Sequence, residues 1–448
     1  MGGFLTYFPA LGVFFAQDDF ILISEFSGNG ILQNFFNVLG LPTVSHWRPF
    51  FNLFFTISGT IFGKNYQLYH LLLLIILVLQ SLLVFKIGKK LLKNDSAAFI
   101  SALIFLLHPA FFTAVYWISG GAVSIGFLFF LLGFWFLIDS PGLKAGVLSS
   151  SLQNSLHPRP EGRGFSLGIN KKYFRALLLL FLSFMGSESM VVGSLVYAVY
   201  LGLFLKSAKR YPLVILSLMI GFLFFLIRFL FLTSPATFEA YRINLSLEQT
   251  LPTLKFYALR ILGIKEGAVF SLATLFILAA VATAFFRVSR KFVEEKPLIY
   301  LAVATLILGL FPFVLIPFHA SAHYMAMSVW GFCLIIAWGL TALKKLGLIL
   351  LLFLLAAYLF NNLTIYENPW IISRSKLAKT YISNLQNNNL ENGTNIVFTD
   401  NFLSSSKDAY IALGTGKAID WFFRGKNYKV CFSGFETCEV NNSYVPFR

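Results

Sequence analysis

Long apolar runs recur along most of this chain, and they constrain its fold more than any other feature. A helix needs roughly 20 residues to cross a bilayer, and runs of about 15 to 22 residues appear repeatedly. They fall near 3–16, 66–85, 97–118, 120–138, 174–186, 190–205, 211–232, 267–286, 297–316, 324–341 and 346–361. Because 57% of the 448 residues are hydrophobic and 12% are charged, the sequence predicts an all-α polytopic membrane protein with about 11 transmembrane helices.

The basic residues are spread unevenly and predict how the chain lies in the membrane. A net charge of +16 is compatible with nucleic-acid binding, but 19 of the 35 Lys and Arg residues fall in five alternate loops. These loops are 86–93, 144–175, 206–210, 287–296 and 344–345. The short loops 108–121 and 317–323 between them contain no Lys or Arg. Cytoplasmic loops carry such an excess, so we expect a multi-pass plasma membrane protein without a nucleic-acid partner.

Composition divides the chain into three parts. Residues 1–361 form the transmembrane module, which includes a long outward loop at 17–48. Residues 140–172 are rich in Ser, Gly, Pro and Arg without apolar periodicity, which predicts a disordered cytoplasmic loop. Residues 362–448 are polar and Asn-rich, which predicts a small extracytoplasmic α/β domain. Its expected elements are a helix at 374–387, a helical segment at 407–413 and strands at 395–399, 428–432 and 437–440.

Asp18 and Asp19 stand side by side at the start of the outward loop, between two apolar runs. Charge in such a place costs free energy unless water, a cation or a basic partner is present. Repulsion between neighbouring carboxylates raises one pKa, so the pair suits a general base with an orienting or metal-coordinating partner. The other interpretation is that the two aspartates only mark where the first helix leaves the membrane.

A series of short motifs follows the aspartates in a fixed order. It comprises Arg48-Pro49, Phe62-Gly63-x-Asn65, Tyr69-His70, Phe105-x-x-His108-Pro109 and Ala114-Val115-x-Trp117-Ile118-Ser119-Gly120. In order and spacing, the series resembles the GT-C superfamily of membrane glycosyltransferases. The branch it resembles contains the tetratricopeptide-bearing protein O-mannosyltransferases and their bacterial relatives, here without the repeats. The resemblance covers roughly residues 11–341.

This resemblance implies a reaction for the aspartates. In that superfamily an acidic pair in the first outward loop is catalytic, and it corresponds to Asp18 and Asp19, with Asp18 slightly favoured as the base. The implied enzyme moves a sugar, mannose or another hexose, from a polyprenyl-phosphate-linked donor to a hydroxyl of a protein or glycan acceptor outside the membrane. The attacking hydroxyl needs a carboxylate base. No cofactor is required, although Mg²⁺ or Mn²⁺ at the two aspartates is compatible with the pair.

Further residues are candidates for binding the donor phosphate or the substrates. They are Arg48, His70, His108, Glu188, Arg242, Arg260, His323 and Tyr324. His323 stands where the branch has Arg before Tyr, and Ser187 replaces a Lys before Glu188. Arg228, Arg242 and Arg260 are the alternative sources of the missing positive charge. For each candidate a simpler role stays open: an interfacial anchor for Arg48, packing for the two histidines, and snorkelling or solvated faces for the other arginines.

Cys431 and Cys438 lie in the tail, where Gly434 favours a tight turn that brings them opposite each other. We expect a disulfide there if the compartment is oxidising, and two free thiols otherwise.

A non-enzymatic transporter or a lipid or glycolipid flippase is the alternative from another functional class. Such a protein predicts charges buried in mid-span, inverted repeats and broken helices along a path. The sequence has few ionisable residues in mid-span and no clear repeat, which favours the glycosyltransferase interpretation.

Overall fold

The computed structural model describes residues 6–26, 48–139, 171–205, 210–231, 242–264, 271–290, 296–366, 370–435, 438 and 443–444. Two predicted segments therefore lie largely outside the described residues. One is the part of the outward loop from 27 to 47. The other is the predicted disordered loop up to residue 170, whereas 171 and 172 are helical.

Helices make up nearly all of the described membrane module. In chain order they are α1 Asp18–Phe26, α2 Pro49–Phe62, α3 Tyr66–Leu92, α4 Asp95–Leu107, α5 Phe112–Tyr116, α6 Ile118–Ala122, α7 Ser124–Ile138, α8 Lys171–Gly186, α9 Gly193–Phe204, α10 Arg210–Phe231, α11 Leu247–Ile261, α12 Leu272–Arg290, α13 Lys296–Val314, α14 Ala326–Ala342 and α15 Lys345–Tyr366. Short 3-10 helices cover Phe8–Gly12, Pro109–Phe111, Glu188–Val192, Pro317–His319 and Ala322–Met325.

Seven helical segments within the described residues are long and apolar enough to cross a membrane. They are Tyr66–Leu92, Asp95–Tyr116, Ile118–Ile138, Arg210–Ile227, Lys296–Val314, Ala322–Ala342 and Lys345–Leu363. Shorter apolar helices occupy Pro49–Phe62, Glu188–Phe204 and Thr274–Arg287. The predicted class, an all-α polytopic membrane protein, is confirmed.

The span predicted at 3–16 is wrong from Val13 onward. Thr6 and Tyr7 are helical and Phe8–Gly12 forms a 3-10 helix, but Val13 to Ala16 are buried without regular secondary structure. Side chains elsewhere in the chain explain the break: the Val13 carbonyl faces the His70 ring at 3.0 Å, and the Ala16 amide donates to Asp19. These side-chain partners replace the bonds that a helix would supply.

Close helix packing builds the middle of the module. A Cβ on Gly186 of α8 would lie 2.6 Å from the Gly126 backbone of α7, so the missing side chains let the two helices approach closely. Trp330 of α14 is fully buried and meets the rings of Phe130 and Phe134 at 5.8 and 5.1 Å between centroids. The core thus lies where α7, α8 and α14 meet.

The C-terminal residues form the small α/β domain that the sequence predicts. Its elements are α16 Trp370–Asn387, β1 Asn395–Phe398, α17 Ser406–Ala412, α18 Lys417–Phe422, β2 Lys429–Phe432 and β3 Ser443–Tyr444. The strands form one parallel sheet in the order β2-β1-β3. A disulfide joins Cys431 to Cys438. The strand predicted at 437–440 falls outside the described residues except for Cys438.

The domain and the start of the chain share one hydrophobic core. Phe15 meets Trp421 of α18 at 5.1 Å between ring centroids, and Phe14 meets Phe422 at 5.6 Å. Both aromatic contacts come from residues just before Asp18. The domain therefore packs directly on the segment that carries the two aspartates.

Candidate active site

Asp18 and Asp19 begin α1, and the local sequence explains why a helix starts there. Carboxylates in the first turn are favoured by the positive end of the helix dipole. Gln17, just before them, adopts the left-handed conformation with φ 56°, which turns the preceding chain into the helix. The first turn therefore presents two neighbouring carboxylates in a fixed orientation.

Asp19 is held by three hydrogen bonds and is only 1% exposed. The Ser119 amide and hydroxyl donate to its Oδ1 at 2.8 and 2.5 Å, and the Ala16 amide donates to Oδ2 at 3.1 Å. Ser119 lies on α6, 100 residues along the chain. This network fixes the Asp19 carboxylate between the start of the chain and the Ala114–Gly120 motif.

Burial changes the protonation of both carboxyls. The pKa of Asp19 is raised to about 7, mainly because burial disfavours the charged form, while the hydrogen bonds from Ser119 and Ala16 lower it. The pKa of Asp18 is also raised by burial, and the Gln17 side chain and the Arg374 charge oppose that rise. Both carboxyls therefore change their ionisation at a higher pH than a free aspartate does.

Arg374 of α16 reaches the residue just before the aspartates from the C-terminal domain. Its Nη1 donates to Oε1 of Gln17, and its guanidinium lies over the Trp370 ring at 4.8 Å. Trp370 in turn meets Trp117 edge-on at 5.2 Å. The indole nitrogen of Trp117 is buried and has no hydrogen-bond partner within the described part of the chain. Aromatic rings therefore connect Arg374 to the segment that bears Ser119.

A second group of polar side chains surrounds Arg48. Its Nη2 lies 3.7 Å from Oε2 of Glu188, and the two side chains are 18% and 11% exposed. Arg48 is also close enough to act electrostatically on His319 and His323. Burial, aided by the Arg48 charge, lowers the pKa of His319, so this imidazole is neutral at pH 7. Arg48 is thus a cation whose charge acts on the position where the sequence lacks the expected arginine.

Hydrogen bonds order the segment around His323 and Tyr324. The Tyr324 hydroxyl lies 2.8 Å from Nε2 of His319, and the Ser321 hydroxyl lies 2.6 Å from Nδ1 of His323. His323 also meets the Trp117 ring at 5.7 Å. Trp117 therefore stands between the aspartate group and the Arg48 group, which makes them neighbouring parts of one region.

His70 and His108 both face backbone groups of the protein interior, and both are fully buried. The ring nitrogens of His70 lie 2.8 and 3.0 Å from the carbonyl oxygens of Val115 and Val13. In His108, Nε2 lies 2.8 Å from the Ile261 carbonyl, and Nδ1 accepts from the Ala110 amide at 3.2 Å. These contacts favour the packing role that we kept open for both histidines.

The remaining arginine candidates lie apart from these contacts. Arg242 is exposed in the stretch before α11, and Arg260 stacks on Phe256 of its own helix at 5.2 Å. The side chain of Arg228 lies outside the described residues. Solvated or snorkelling roles suit the two described arginines, as the simpler interpretation held.

The aspartate pair provides few ligands for a metal ion. Within the described ranges, no group of three or more His, Cys, Asp or Glu side chains is arranged to hold one. The Asp19 oxygens already accept three hydrogen bonds, which leaves about one of the roughly four acceptor positions of a carboxylate. Metal binding at the two aspartates therefore stays a prediction.

Sequence reasoning missed Ser119, which contacts Asp19, and Arg374, which contacts Gln17 and acts electrostatically on Asp18. Ser119 lies inside a recognised motif, yet the motif gave no reason to pair its hydroxyl with a carboxylate 100 residues away. Arg374 lies in the predicted helix 374–387, where a single basic residue carries no signal. The proximity of Glu188 to Arg48 was also unexpected.

The sequence comparisons give one relative among curated proteins. No protein-family model matches the sequence. The chain is similar to the human (Homo sapiens) protein O-mannosyl-transferase TMTC1, with 30% identity over 141 residues. The match covers 31% of this chain and 15% of the human protein. The predicted resemblance to the branch that contains protein O-mannosyltransferases is confirmed over that stretch.

Two solved structures of the Archaeoglobus fulgidus oligosaccharyltransferase are similar to this chain at 12% identity. The complex with zinc and sulfate gives a TM-score of 0.47 and covers 94% of this chain and 58% of that protein. The complex of this enzyme, AglB, with an inhibitory peptide and a dolichol-phosphate gives a TM-score of 0.34, with coverage of 93% and 53%.

Proposed function

We propose that this chain is a membrane glycosyltransferase that moves a hexose from a polyprenyl-phosphate carrier to an acceptor hydroxyl on the outer face of the plasma membrane. The observation that supports the proposal most is the Asp18-Asp19 pair, fixed at the start of α1 between the membrane module and the C-terminal domain. One carboxyl of the pair titrates near neutral pH. Mannose is the first sugar to test, because the human relative is named as an O-mannosyltransferase.

The two carboxylates have different roles in this reaction. Asp18 is half-buried and is the more accessible of the two carboxyls, so we assign it as the base that takes the proton of the acceptor hydroxyl. Asp19 is buried and held by Ser119, so its negative charge stabilises the oxocarbenium-like transition state without moving. The new bond joins the acceptor oxygen to the anomeric carbon. The bond from that carbon to the phosphate oxygen breaks, and polyprenyl phosphate leaves.

The leaving phosphate needs positive charge, and Arg48 is the residue that we assign to it. A guanidinium matches phosphate oxygens with two parallel donors. Arg48 stands beside His319 and His323, whose neutral rings supply hydrogen bonds but no charge. Glu188 holds the guanidinium in place from the other side.

The acceptor approaches from the outer side of α1. A cavity of about 380 Å³ lies between α1 and the end of the C-terminal domain's α18, one to two helical turns from Asp18. Its walls include Glu25, Lys417, Asp420 and Arg424, so charges of both signs line it. A protein segment or a glycan with polar groups suits this lining.

The aspartates provide the direct test. Asp18→Asn, Asp19→Asn and the double variant are reconstituted in vesicles and assayed for hexose transfer from a polyprenyl-phosphate donor. We expect the loss of general base catalysis to reduce turnover by about 10²-fold or more in Asp18→Asn. Asp139→Asn is the matched control, since Asp139 pairs with Lys172 at 2.6 Å and lies apart from the site. Full activity in all three active-site variants would refute the assignment.

The same assay decides whether a divalent cation takes part. Transfer is measured with added Mg²⁺, with added Mn²⁺ and with a chelator. We expect turnover to be unchanged by the chelator if the two carboxylates work without a metal.

A further inference from the structure

The C-terminal domain contacts the catalytic segment at the residue just before the two aspartates. The Gln17 amide donates to the Ala412 carbonyl at 3.0 Å, and the Gln17 side chain accepts from Arg374. Both partners belong to the domain, Ala412 at the end of α17 and Arg374 in α16. Gln17 is therefore held by its backbone and by its side chain at once.

We propose that the domain serves as a clamp that fixes the start of α1, with Arg374 and Gly414 as positioning residues for Asp18 and Asp19. The inference rests on the proposed function and gives the domain a second task beside acceptor recognition. The term clamp denotes Arg374, Ala412 and Gly414 together with the Gln17 that they hold.

Gly414 lets the domain approach α1. Its φ is +55°, and a Cβ added to it would lie 2.5 Å from the Gln17 carbonyl oxygen and 3.1 Å from Cβ of Phe20. The Gln17 oxygen cannot yield easily, because it accepts the Phe20 amide in the first turn of α1. Any side chain at position 414 would push the turn and the catalytic helix apart.

The turn that carries Gly414 is itself rigid. Gly414, Thr415 and Gly416 all have positive φ, at 55°, 58° and 90°. For a β-branched residue such as Thr415 this conformation is costly, and such backbone strain persists only where the surrounding structure enforces it. The Thr415 amide donates to the Tyr410 carbonyl at 2.8 Å, and the Ala418 amide donates to that of Leu413 at 3.1 Å. The clamp thus presents a preformed surface to α1.

Arg374 adds orientation and charge. Its guanidinium lies on Trp370, which limits where it can point, and it donates to Gln17. Its positive charge also acts on Asp18 and is shared with Asp408 of α17. Removal of Arg374 would release the Gln17 side chain and take away positive charge from Asp18.

Among the groups packed against α1, Arg374 is the charged residue outside the helix that acts most on Asp18. The helices α2 and α6 contain no charged residue. On α18, Lys417 and Asp420 pair with each other at 3.2 Å. Within α1, Asp19 repels Asp18, and Glu25 lies two turns away.

The first test compares two glycine substitutions within the domain. Gly414→Ala and Gly393→Ala both place alanine at positive φ, but nothing lies within 4 Å of a Cβ at position 393. We expect at least a tenfold fall in turnover for Gly414→Ala and little change for Gly393→Ala, with both proteins normalised to the folded fraction in detergent. Equal activity in the two variants would overturn the role of Gly414.

The second test measures the pH profile of transfer for Arg374→Gln and Arg374→Lys. Both aspartates act as carboxylates, so the acidic limb of the profile reflects the pKa values of both. Loss of the positive charge raises the pKa of Asp18 and thereby moves this limb to higher pH in Arg374→Gln. Lysine keeps the positive charge but lacks the planar guanidinium that lies on Trp370. Arg374→Lys should therefore return the acidic limb to its original pH while turnover stays low. Lys376→Gln, an exposed substitution on the same helix, is the control. An unchanged profile in Arg374→Gln contradicts the clamp, even if turnover falls.

The two proposals fail in different ways. If Asp18→Asn and Asp19→Asn keep full transfer, the proposed function fails and the clamp with it. If those variants are inactive while Gly414→Ala and Arg374→Gln behave like the unaltered protein, the function stands and the clamp fails. If Gly414→Ala does not fold, the pH profile of the Arg374 variants decides.

Discussion

Replacement of Ser119 by alanine isolates the hydrogen bond that most directly controls Asp19. The Ser119 hydroxyl donates to Oδ1 of Asp19 at 2.5 Å, in a place where neither group reaches water. The Ser119 and Ala16 amides donate to the same carboxylate and remain in the variant. Ser119→Ala therefore removes one of three donors and leaves the backbone frame intact.

The size of the effect follows from the charge of the acceptor. A hydrogen bond to a charged group contributes about 1.5 to 3 kcal/mol. Because one pKa unit corresponds to about 1.4 kcal/mol, the acidic limb of the activity profile should move up by about one to two pH units. With a pKa of about 7, Asp19 is about half ionised at neutral pH, and in Ser119→Ala this fraction falls to roughly 1 to 10%.

The sign of the change follows from the direction of that hydrogen bond. The bond lowers the pKa of Asp19, so its removal raises that pKa and depletes the ionised form that the transition state needs. We expect Ser119→Ala to lose about 5- to 50-fold in turnover at pH 7 and to recover about half or more of it at pH 9.

The assay is hexose transfer in vesicles from pH 5 to pH 9, with two controls. Ser101→Ala removes a buried hydroxyl that has no hydrogen-bond partner within the described residues, so its profile should not move. Ser119→Thr keeps the donor and should restore most of the profile. If Ser119→Ala lowers activity equally at every pH, the hydroxyl only supports packing and the reasoning is refuted.

Two further predictions concern the fold. Gly186→Ala should lower the thermal midpoint of the detergent-solubilised protein by several degrees, because its Cβ would lie 2.6 Å from the Gly126 backbone. Gly202→Ala is the control and should leave the midpoint unchanged, since nothing lies within 4 Å of a Cβ at position 202. Without reductant, a maleimide should label one thiol of the unfolded chain and three after reduction, since a disulfide consumes the tail cysteines. More than one label before reduction would show that the disulfide does not form in the cell.

The sequence predicts much of the fold because hydrophobic length is a strong local signal. Runs such as 66–85 and 324–341 correspond to helices of the module, and Pro109 ends a helix at His108 as a proline without an amide should. The first run, 3–16, looks alike in composition but lacks regular secondary structure in part, because contacts from distant residues satisfy its backbone. The composition of a segment indicates that it is buried, but it does not indicate which residues it packs against.

The site was harder to predict than the fold, for the same physical reason. The adjacent acids Asp18 and Asp19 can be recognised from the sequence, because paired charge beside apolar residues is unusual. Ser119 and Arg374 cannot, since a single serine or arginine is common anywhere. Their roles arise from tertiary contacts across 100 and more than 350 residues, which no local pattern records.

The departures from the family pattern at Ser187 and His323 appear independent in the sequence, and the structure relates them. Both remove a cation, and both relate to the same side chain: Arg48 pairs with Glu188, the neighbour of Ser187, and acts electrostatically on His323. A second guanidinium at 323 would be repelled by that of Arg48, which costs free energy unless a second acid is present. In the proposed function Arg48 is the residue assigned to the leaving phosphate, and we infer from this assignment that the two departures belong together. On this proposal His323 marks a relocated cation.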